Sequence, residues 1–147
     1  MDSSLKLKFG IWEKHTLPLT EIIENSLQNN GSSIGALTLF LGIVKGVTPS
    51  GNVKNLILEA YEEVILNSFQ SIALKIKEEY SVSDIRIHHV VGDLSPGDLI
   101  MAVLVAGEKR NEVIDAMKKT IEKVKKEAPL WKKETFLSGD SHWVEYL

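Results

Sequence analysis

The spacing of apolar and polar residues predicts an alternation of strands and helices along the chain. Strand-like segments either alternate apolar with polar residues or form short apolar runs. Seven such segments are predicted to be extended: 4–12, 35–45, 55–61, 85–92, 99–107, 131–136 and 142–146. The run at 35–45 has the composition of a central strand, and the run at 99–107 is apolar enough to be buried on both faces.

Three other segments carry apolar residues at intervals of three and four, which is the spacing of a helix with one buried face. They are 19–29, 62–79 and 111–126. The third is predicted to stop before Ala128-Pro129, because the residue preceding proline avoids the helical region. The segments GVTPSGN and LSPGD predict a mobile loop at 46–52 and a turn at 94–98.

The predicted order is strand, helix, two strands, helix, two strands, helix and final strands. This mixture of hairpins and crossovers favours an α+β fold with a mixed, mainly antiparallel sheet. No linker interrupts the chain, and 147 residues suit one domain, so residues 1–147 are predicted to form a single domain.

Composition excludes several kinds of chemistry. The chain has no cysteine, which excludes disulfides, thiolate metal sites and a cysteine nucleophile, and which fits a cytoplasmic protein. No apolar run approaches the ~18–20 residues of a membrane span. His88 and His89 are adjacent in a predicted strand and would point to opposite faces, so we expect no metal site there.

Basic charge is concentrated late in the chain. Residues 107–134 hold nine lysines and arginines against six acidic residues, although the whole chain has a net charge of −3. A local positive patch on an acidic protein suits a small anionic ligand better than a long nucleic acid.

The predicted helix at 111–126 places one lysine beside its apolar face. At ~100° per residue, Lys125 lies at the edge of the stripe, whereas Lys119, Lys123 and Lys126 point away from it. Partial desolvation there would lower the ammonium pKa of Lys125 and make it a better nucleophile or proton donor. The alternative is a solvated lysine whose stem covers the edge of the core. The stripe itself consists of Val113, Ile114, Met117, Ile121 and Val124.

Two further basic pairs are candidates for binding an anion. Lys132 and Lys133 alternate faces in an extended segment, so one of them can point into a pocket. Lys109 and Arg110 lie between a buried strand and a helix start, where backbone amides favour anions. A phosphate site and an ordinary charged loop are both consistent with this pattern.

Four segments together resemble the large, catalytic subunit of molybdopterin synthase, the MoaE family. They are GALTLFLGIVK at 35–45, the apolar strand followed by Lys109-Arg110, VKKEAPLWKKE at 124–134, and GDSHWVEY at 139–146. The most specific feature is K-x-x-A-P-x-W-K-x-E with G-D and W-V-E close behind. The resemblance runs from about Gly35 to Tyr146.

The resemblance implies an α/β-hammerhead-type fold and a sulfurtransferase. Sulfur would pass from the thiocarboxylated C-terminus of a small ubiquitin-like subunit to cyclic pyranopterin monophosphate, and two rounds would form the dithiolene of molybdopterin. It also implies a homodimer of large subunits within a heterotetramer. It implies no metal or resident cofactor. The absence of cysteine fits this scheme, since the partner carries the sulfur.

The resemblance also assigns roles to individual residues. Lys125 would act at the thiocarboxylate carbonyl or the pterin carbon, and Lys132 would stabilise developing negative charge. Lys45 and Lys109 depart from the family pattern, in which arginine and histidine are usual at these positions. The pterin and its phosphate would be bound by Phe40, Ile43, Val44, Lys45, Lys109, Arg110, Lys133 and Glu134.

Two other functions remain open from the sequence. One is a binding module that holds the small subunit or an anionic ligand without turnover. The other is an RNA-binding α+β domain that uses the lysine-rich helix, although the overall acidity and the few aromatic residues count against it.

Overall fold

The computed structural model describes residues 3–144, in which helices pack on both faces of a mixed, mainly antiparallel sheet. This confirms the predicted α+β class. Glu145 and Tyr146, the last two residues of the strand predicted over 142–146, lie outside the described residues. The elements are α1 (Ser3–Lys6), β1 (Phe9–Glu13), α2 (Leu19–Asn30), β2 (Ala36–Ile43), β3 (Val47–Thr48), β4 (Gly51–Glu59), α3 (Glu62–Glu79), β5 (Asp84–Leu94), β6 (Leu99–Gly107), α4 (Arg110–Glu127), β7 (Trp131–Phe136) and β8 (Ser141–Val144).

Strand β5 joins the two parts of the sheet. Its residues 84–89 pair with β6 in antiparallel fashion, and 87–91 run parallel to β1. Its last three residues, 92–94, pair instead with β4, which in turn pairs with β7 and then β8. The change of partner occurs at Gly92, whose φ of 109° is a backbone conformation that residues with a Cβ rarely adopt.

Strand β6 has apolar residues buried on both of its faces, as its composition predicts. Val103 and Val105 belong to the larger core cluster, which α3 and α4 cover. Leu104 and Ala106 belong to a second cluster with Ile22 of α2. The sheet is therefore a middle layer between helices at this point.

No helix within residues 3–144 is long and apolar enough to cross a membrane.

The prediction of a strand over 4–12 is wrong for its first residues. Residues 3–6 form the short helix α1, and the strand begins only at Phe9. Leu5 contributes to a groove beside α3, whereas Leu7 packs against the second core cluster. The alternation of leucine and lysine predicts a strand, but Leu5 and Leu7 instead pack against different neighbours because the chain turns between α1 and β1.

The strand at 35–45 exists, but it is not central. Strand β2 lies at the end of the sheet order and pairs with β6 on one side. Leu41 and Ile43 are 39% and 52% exposed, so its apolar composition does not reflect burial on both faces. Among the described residues, no strand pairs with its other edge.

The segment predicted as a loop at 46–52 is partly a hairpin. Val47 pairs with Asn52 and Thr48 with Gly51, so a two-residue turn joins β3 to β4. The hydroxyl of Thr48 donates a hydrogen bond to the carbonyl of Gly51 at 2.8 Å.

The predicted stripe on α4 is displaced by part of a turn. Ile114 is 55% exposed, whereas Thr120 is fully buried and its hydroxyl donates to the Ala116 carbonyl at 2.7 Å. Val113, Met117 and Val124 are buried as predicted. Ile114 lies about 100° around the helix from Val113, which is too far to share the same face.

A buried ion pair attaches α2 to β5. Arg86 has no exposed surface, and its Nε donates to Oδ2 of Asp84 at 2.8 Å. The same carboxylate oxygen accepts hydrogen bonds from Ser26 at 2.6 Å and Asn30 at 3.1 Å, both on α2. Arg86 also donates through Nη1 to Asn25 Oδ1 at 2.8 Å. The two charges are therefore paired with each other and with α2, and only Nη2 of Arg86 is a buried guanidinium nitrogen without a hydrogen-bond partner among the described residues.

These contacts set the pKa of Asp84. Burial alone raises it, but the hydrogen bonds from Ser26 and Arg86, the Arg86 charge and Asn30 together outweigh burial, so the pKa lies below its usual value of 3.8. A carboxyl with a depressed folded-state pKa stabilises the fold above its unfolded pKa, and this contribution is lost as pH falls through the folded pKa.

We predict that Asp84→Ala lowers the free energy of unfolding by about 3–5 kcal/mol at neutral pH, because it leaves the Arg86 charge buried without its partner. Urea denaturation measures this, with the exposed Asp115→Ala on α4 as the matched control. The difference between wild type and Asp84→Ala should shrink as pH falls below 3.8. A difference that stays constant down to the acid limit would contradict this account.

Candidate active site

A cavity of about 400 Å³ lies where the two parts of the sheet diverge. Its walls come from the end of β2 and the two residues after it, from strands β3, β4, β5, β6 and β7, and from the last turn of α4. A cavity of this volume is within the range of small-molecule sites. The lining residues are Phe40, Leu41, Gly42, Ile43, Val44, Lys45, Thr48, Val53, Leu56, His89, Ile100, Met101, Val124, Lys125, Lys132 and Glu134.

An irregularity at the end of β2 shapes one wall. The pairing of β2 with β6 shifts register between Gly42 and Ile43, and such a bulge re-aims the side chains that follow it. Val44 is then fixed by two backbone hydrogen bonds of 2.9 Å, one to Asp98 and one from Gly97. The predicted site residues Phe40, Ile43, Val44 and Lys45 all line the cavity.

The alternation of β7 decides which of its lysines faces the cavity. Lys132 and Glu134 line it, and they pair with Leu58 and Leu56 of β4. Lys133 is not part of the lining, and its Nζ lies 5.9 Å from the ring centroid of Trp143. The prediction that one lysine of the pair points into a pocket thus matches the geometry, and that lysine is Lys132.

Lys125 reaches the same cavity from the end of α4. Helix α4 ends at Glu127, and the buried residues Ala128 and Leu130 anchor the short connection to β7. This connection brings Lys125 and Lys132 to one cavity although they belong to different elements. A cation in the last helical turn is also favourable, because the helix dipole is negative there.

The desolvated amine is Lys132 and not Lys125. Burial is the main cause that lowers the pKa of Lys132, the charge of Lys125 lowers it further, and Glu134 opposes both. Lys125 is exposed, so the expectation that its position on α4 desolvates it is wrong for this chain on its own.

The charges around the cavity favour an anion. Lys45, Lys125 and Lys132 face one carboxylate, Glu134, so the lining carries a surplus of positive charge. Cations that share a cavity with apolar walls attract anions more strongly than they would in open water.

Two predicted site residues lie far from this cavity. Lys109 and Arg110 are exposed at the start of α4 and are not among the lining residues. Arg110 lies fifteen residues before Lys125 on the same helix, which is about 22 Å at 1.5 Å per residue. Within one chain, a small molecule that contacts Lys125 therefore cannot also contact Lys109 or Arg110.

His89 was missed as a site residue, although the pattern of β5 contains a signal for it. His88 and His89 do point to opposite faces, as predicted, and His88 binds Trp12 and the Leu7 carbonyl. His89 follows Ile85 and Ile87 on the apolar face, and it lines the cavity. A histidine that continues an apolar face of a buried strand is the feature that marks it.

Comparisons with known proteins agree with the predicted family. The family model described as "MoaE protein" matches residues 13–127, a stretch that includes Lys125 but ends before Lys132. The molybdopterin synthase catalytic subunit of Pyrococcus abyssi is 31% identical over 116 residues, which cover 79% of this chain and 78% of that protein.

Solved structures share the fold. The molybdopterin synthase structure from Staphylococcus aureus superposes with a TM-score of 0.83 at 24% identity, covering 95% of this chain and 96% of the other. A complex of subunits 1 and 2 of the molybdopterin-converting factor from Helicobacter pylori has a TM-score of 0.72 at 21% identity, covering 93% and 90%. These similarities confirm the fold that the sequence motifs led us to expect.

We predict that Lys125→Gln raises the pKa of Lys132 towards its ordinary value, because it removes a neighbouring positive charge. NMR titration of ¹³Cε-labelled lysines measures this, with the Lys132 signal assigned by its absence in Lys132→Gln. Lys126→Gln is the matched control, since Lys126 is the next residue on α4 but does not line the cavity. An equal shift in both variants would mean that Lys125 has no special proximity to Lys132.

Proposed function

The chain belongs to the MoaE family, and from this premise we propose that it is the catalytic subunit of a molybdopterin synthase acting in the cytoplasm. It transfers sulfur from the thiocarboxylated C-terminus of a small ubiquitin-like subunit to cyclic pyranopterin monophosphate. The observation that carries this proposal is the cavity that Lys125 and Lys132 share.

The chemistry of both reactants suits this cavity. A thiocarboxylate and a phosphate monoester are anions, and the cavity has three lysines against one carboxylate. The transferred sulfur arrives on the partner, so the absence of cysteine in this chain is no obstacle. Phe40, Ile43 and Val44 give the pterin ring apolar surface, and Lys45 and Glu134 give it polar contacts.

The partner also accounts for the exposure of Lys125. The protein from Helicobacter pylori with this fold is a complex of two subunits, which supports a small-subunit partner here. When the tail of that partner enters the cavity, it displaces water from around Lys125 and strengthens the electrostatic interactions within the cavity. Lys125 then acts at the thiocarboxylate carbonyl or the pterin carbon, while Lys132 stabilises the negative charge that develops.

A homodimer would bring Lys109 and Arg110 into the site. They directly follow the end of β6, where the Gly107 carbonyl accepts a hydrogen bond from Gly35. Gly35 precedes the start of β2, whereas Lys45 follows its end. If the open edges of two β2 strands pair in antiparallel fashion, the start of one strand lies beside the end of the other. Exposed Leu41 supplies apolar surface along that edge. We propose that the substrate contacts of Lys109 and Arg110 come from the second copy, in a heterotetramer with a small subunit at each end.

We predict that Lys125→Ala lowers molybdopterin formation at least 100-fold, because it removes the cation that this proposal assigns to the reacting groups. The assay reconstitutes the protein with thiocarboxylated small subunit and cyclic pyranopterin monophosphate, and Lys126→Ala serves as the control. Product from wild type and the control but not from Lys125→Ala supports the enzyme. A stable complex that forms no product with wild type would instead favour the non-catalytic binding module.

We predict that two inactive variants complement each other if Arg110 acts across the dimer. Lys125→Ala and Arg110→Ala chains, mixed after dissociation, should regain about one quarter of wild-type activity, since half of the dimers are mixed and each contains one intact site. A chain that carries both substitutions, mixed with itself, is the control. Activity no higher than that of the separate variants would mean that Arg110 does not act across the dimer.

A further inference from the structure

Lys45 differs from the other two lysines of the cavity in where its backbone lies. Lys125 belongs to α4 and Lys132 to β7, whereas Lys45 follows the last residue of β2, in the connection to β3. Its side chain is exposed. A long cationic side chain on a connection binds an anion well only if its backbone is already fixed, because ordering it during binding costs free energy.

The turn at 95–98, between β5 and β6, fixes the residue before Lys45. The backbone N–H of Val44 donates to the carbonyl of Asp98 at 2.9 Å. The carbonyl of Val44 accepts from the N–H of Gly97, also at 2.9 Å. Both backbone groups of Val44 are therefore bonded to the same turn, and Val44 is buried.

The residue after Lys45 is held as well. Gly46 lies so close to the turn that an added Cβ would be 3.0 Å from Cβ of Pro96. On its other side, the carbonyl of Gly46 accepts a hydrogen bond of 2.8 Å from the N–H of Val53 on β4. The backbone on both sides of Lys45 therefore depends on where the turn at 95–98 lies.

The carboxylate of Asp98 closes this turn. The N–H of Asp98 donates to the Ser95 carbonyl at 3.0 Å, and Pro96 followed by Gly97 at a φ of 92° are the central residues that a type II turn favours. In addition, Oδ2 of Asp98 accepts from the backbone N–H of Ser95 at 2.7 Å. One residue thus bonds the start of the turn through its side chain and Val44 through its backbone.

The same carboxylate also forms an ion pair with Lys14, which follows β1. Nζ of Lys14 lies 3.0 Å from Oδ2 of Asp98, and the two side chains are 39% and 18% exposed. Ion pairs with this much exposure contribute little to stability. The hydrogen bond from Ser95, and after it Lys14, hold the pKa of Asp98 below its usual value of 3.8, so the carboxylate is ionised at neutral pH.

We propose that Asp98 is a positioning residue for substrate binding: through its hydrogen bond from Ser95, its carboxylate fixes the turn that holds the backbone of Lys45 at the cavity. Asp98 is not among the residues that line the cavity, so it acts on a ligand only through Lys45. The consequence for substrate rests on the proposed function, in which Lys45 contacts the pterin or its phosphate. The effect on the backbone does not.

Four variants separate the bond within the turn from the ion pair. Asp98→Leu has the branched shape of aspartate without an acceptor, and Asp98→Ala is a second variant without one. Asp98→Asn keeps an amide oxygen that can accept from Ser95, but it carries no charge. Lys14→Met removes the ion pair alone. Asp115→Ala, an exposed carboxylate on α4, is the matched control.

The first measurement is amide hydrogen exchange, which needs neither partner nor substrate. In Asp98→Leu and Asp98→Ala the Val44 amide should exchange about ten-fold faster than in wild type, because the turn that supplies its acceptor is loosened. Asp98→Asn, Lys14→Met and Asp115→Ala should resemble wild type. The Gly35 amide, which is hydrogen-bonded just before the start of β2, should keep its rate and so show that each variant is folded.

The second measurement is the affinity for cyclic pyranopterin monophosphate, titrated without the small subunit. Lys45→Met should weaken binding about ten-fold, which is typical of losing a hydrogen bond from a charged group, and Asp98→Leu about five-fold. A chain with both substitutions should bind no more weakly than Lys45→Met alone, because both remove the same contact. Equal weakening by Asp98→Leu with and without Lys45 would overturn the proposal.

The two measurements distinguish failure of this inference from failure of the proposed function. A Val44 exchange rate that is the same in wild type, Asp98→Leu and Asp98→Ala overturns the inference, whatever the binding shows. Exchange as fast in Asp98→Asn as in Asp98→Leu also overturns it, because the ion pair would then hold the turn. If exchange responds as expected but wild type binds no pyranopterin, the proposed function fails and Asp98 still fixes the backbone of Lys45.

Discussion

Strand β5 must pair with different neighbours along its length, and the position of the cavity depends on this constraint. Its first residues lie between β6 and β1, and its last three belong with β4. A strand can change partners in this way only if its backbone turns, and Gly92 with its positive φ provides the turn. Because the two parts of the sheet separate there, an opening remains between them that the end of α4 closes on one side.

The electrostatics of the site follow from how the cations are supported. Lys125 and Lys132 would repel each other in any apolar enclosure, and the lowered pKa of Lys132 reflects burial together with that repulsion. The fold limits the cost by leaving Lys125 in water at the end of a helix and by placing Glu134 two residues after Lys132. The site is therefore prepared for an anion, and filling it with one would relieve the repulsion.

The sequence predicts most of the elements because their local patterns are strong. The helix at 62–79 has the bounds that its periodicity indicates, and the strand at 99–107 has the bounds of its apolar run. It fails where an outcome depends on distant neighbours. The apolar run of β2 could not indicate an edge position, since that depends on which strands pair with it. The exposure of Lys125 depends on which elements pack beside the end of α4.

The candidate site was only partly predictable for the same reason. The motif around Lys125 and Lys132 gave both lysines, because their spacing belongs to one continuous segment. His89 comes from a strand that is distant in sequence, and only the packing of β5 against the cavity brings it there. Lys109 and Arg110 belong to the same sequence resemblance as the two lysines, but Arg110 lies about 22 Å from Lys125 along α4.

The alternation along β7 has a consequence for how this segment can vary in length. Lys132 and Lys133 carry the same charge, and strand parity alone decides which of them faces the cavity. Deleting a single residue from the connection at 128–130 would move every β7 side chain to the opposite face. Lys133 would then enter the cavity while Glu134 left it, and the amino-acid composition of the strand would be unchanged. The number of residues between α4 and β7 therefore determines the site as much as the identity of its lysines does. An insertion or deletion there would keep Lys132 in the cavity only if it changed the length by an even number of residues.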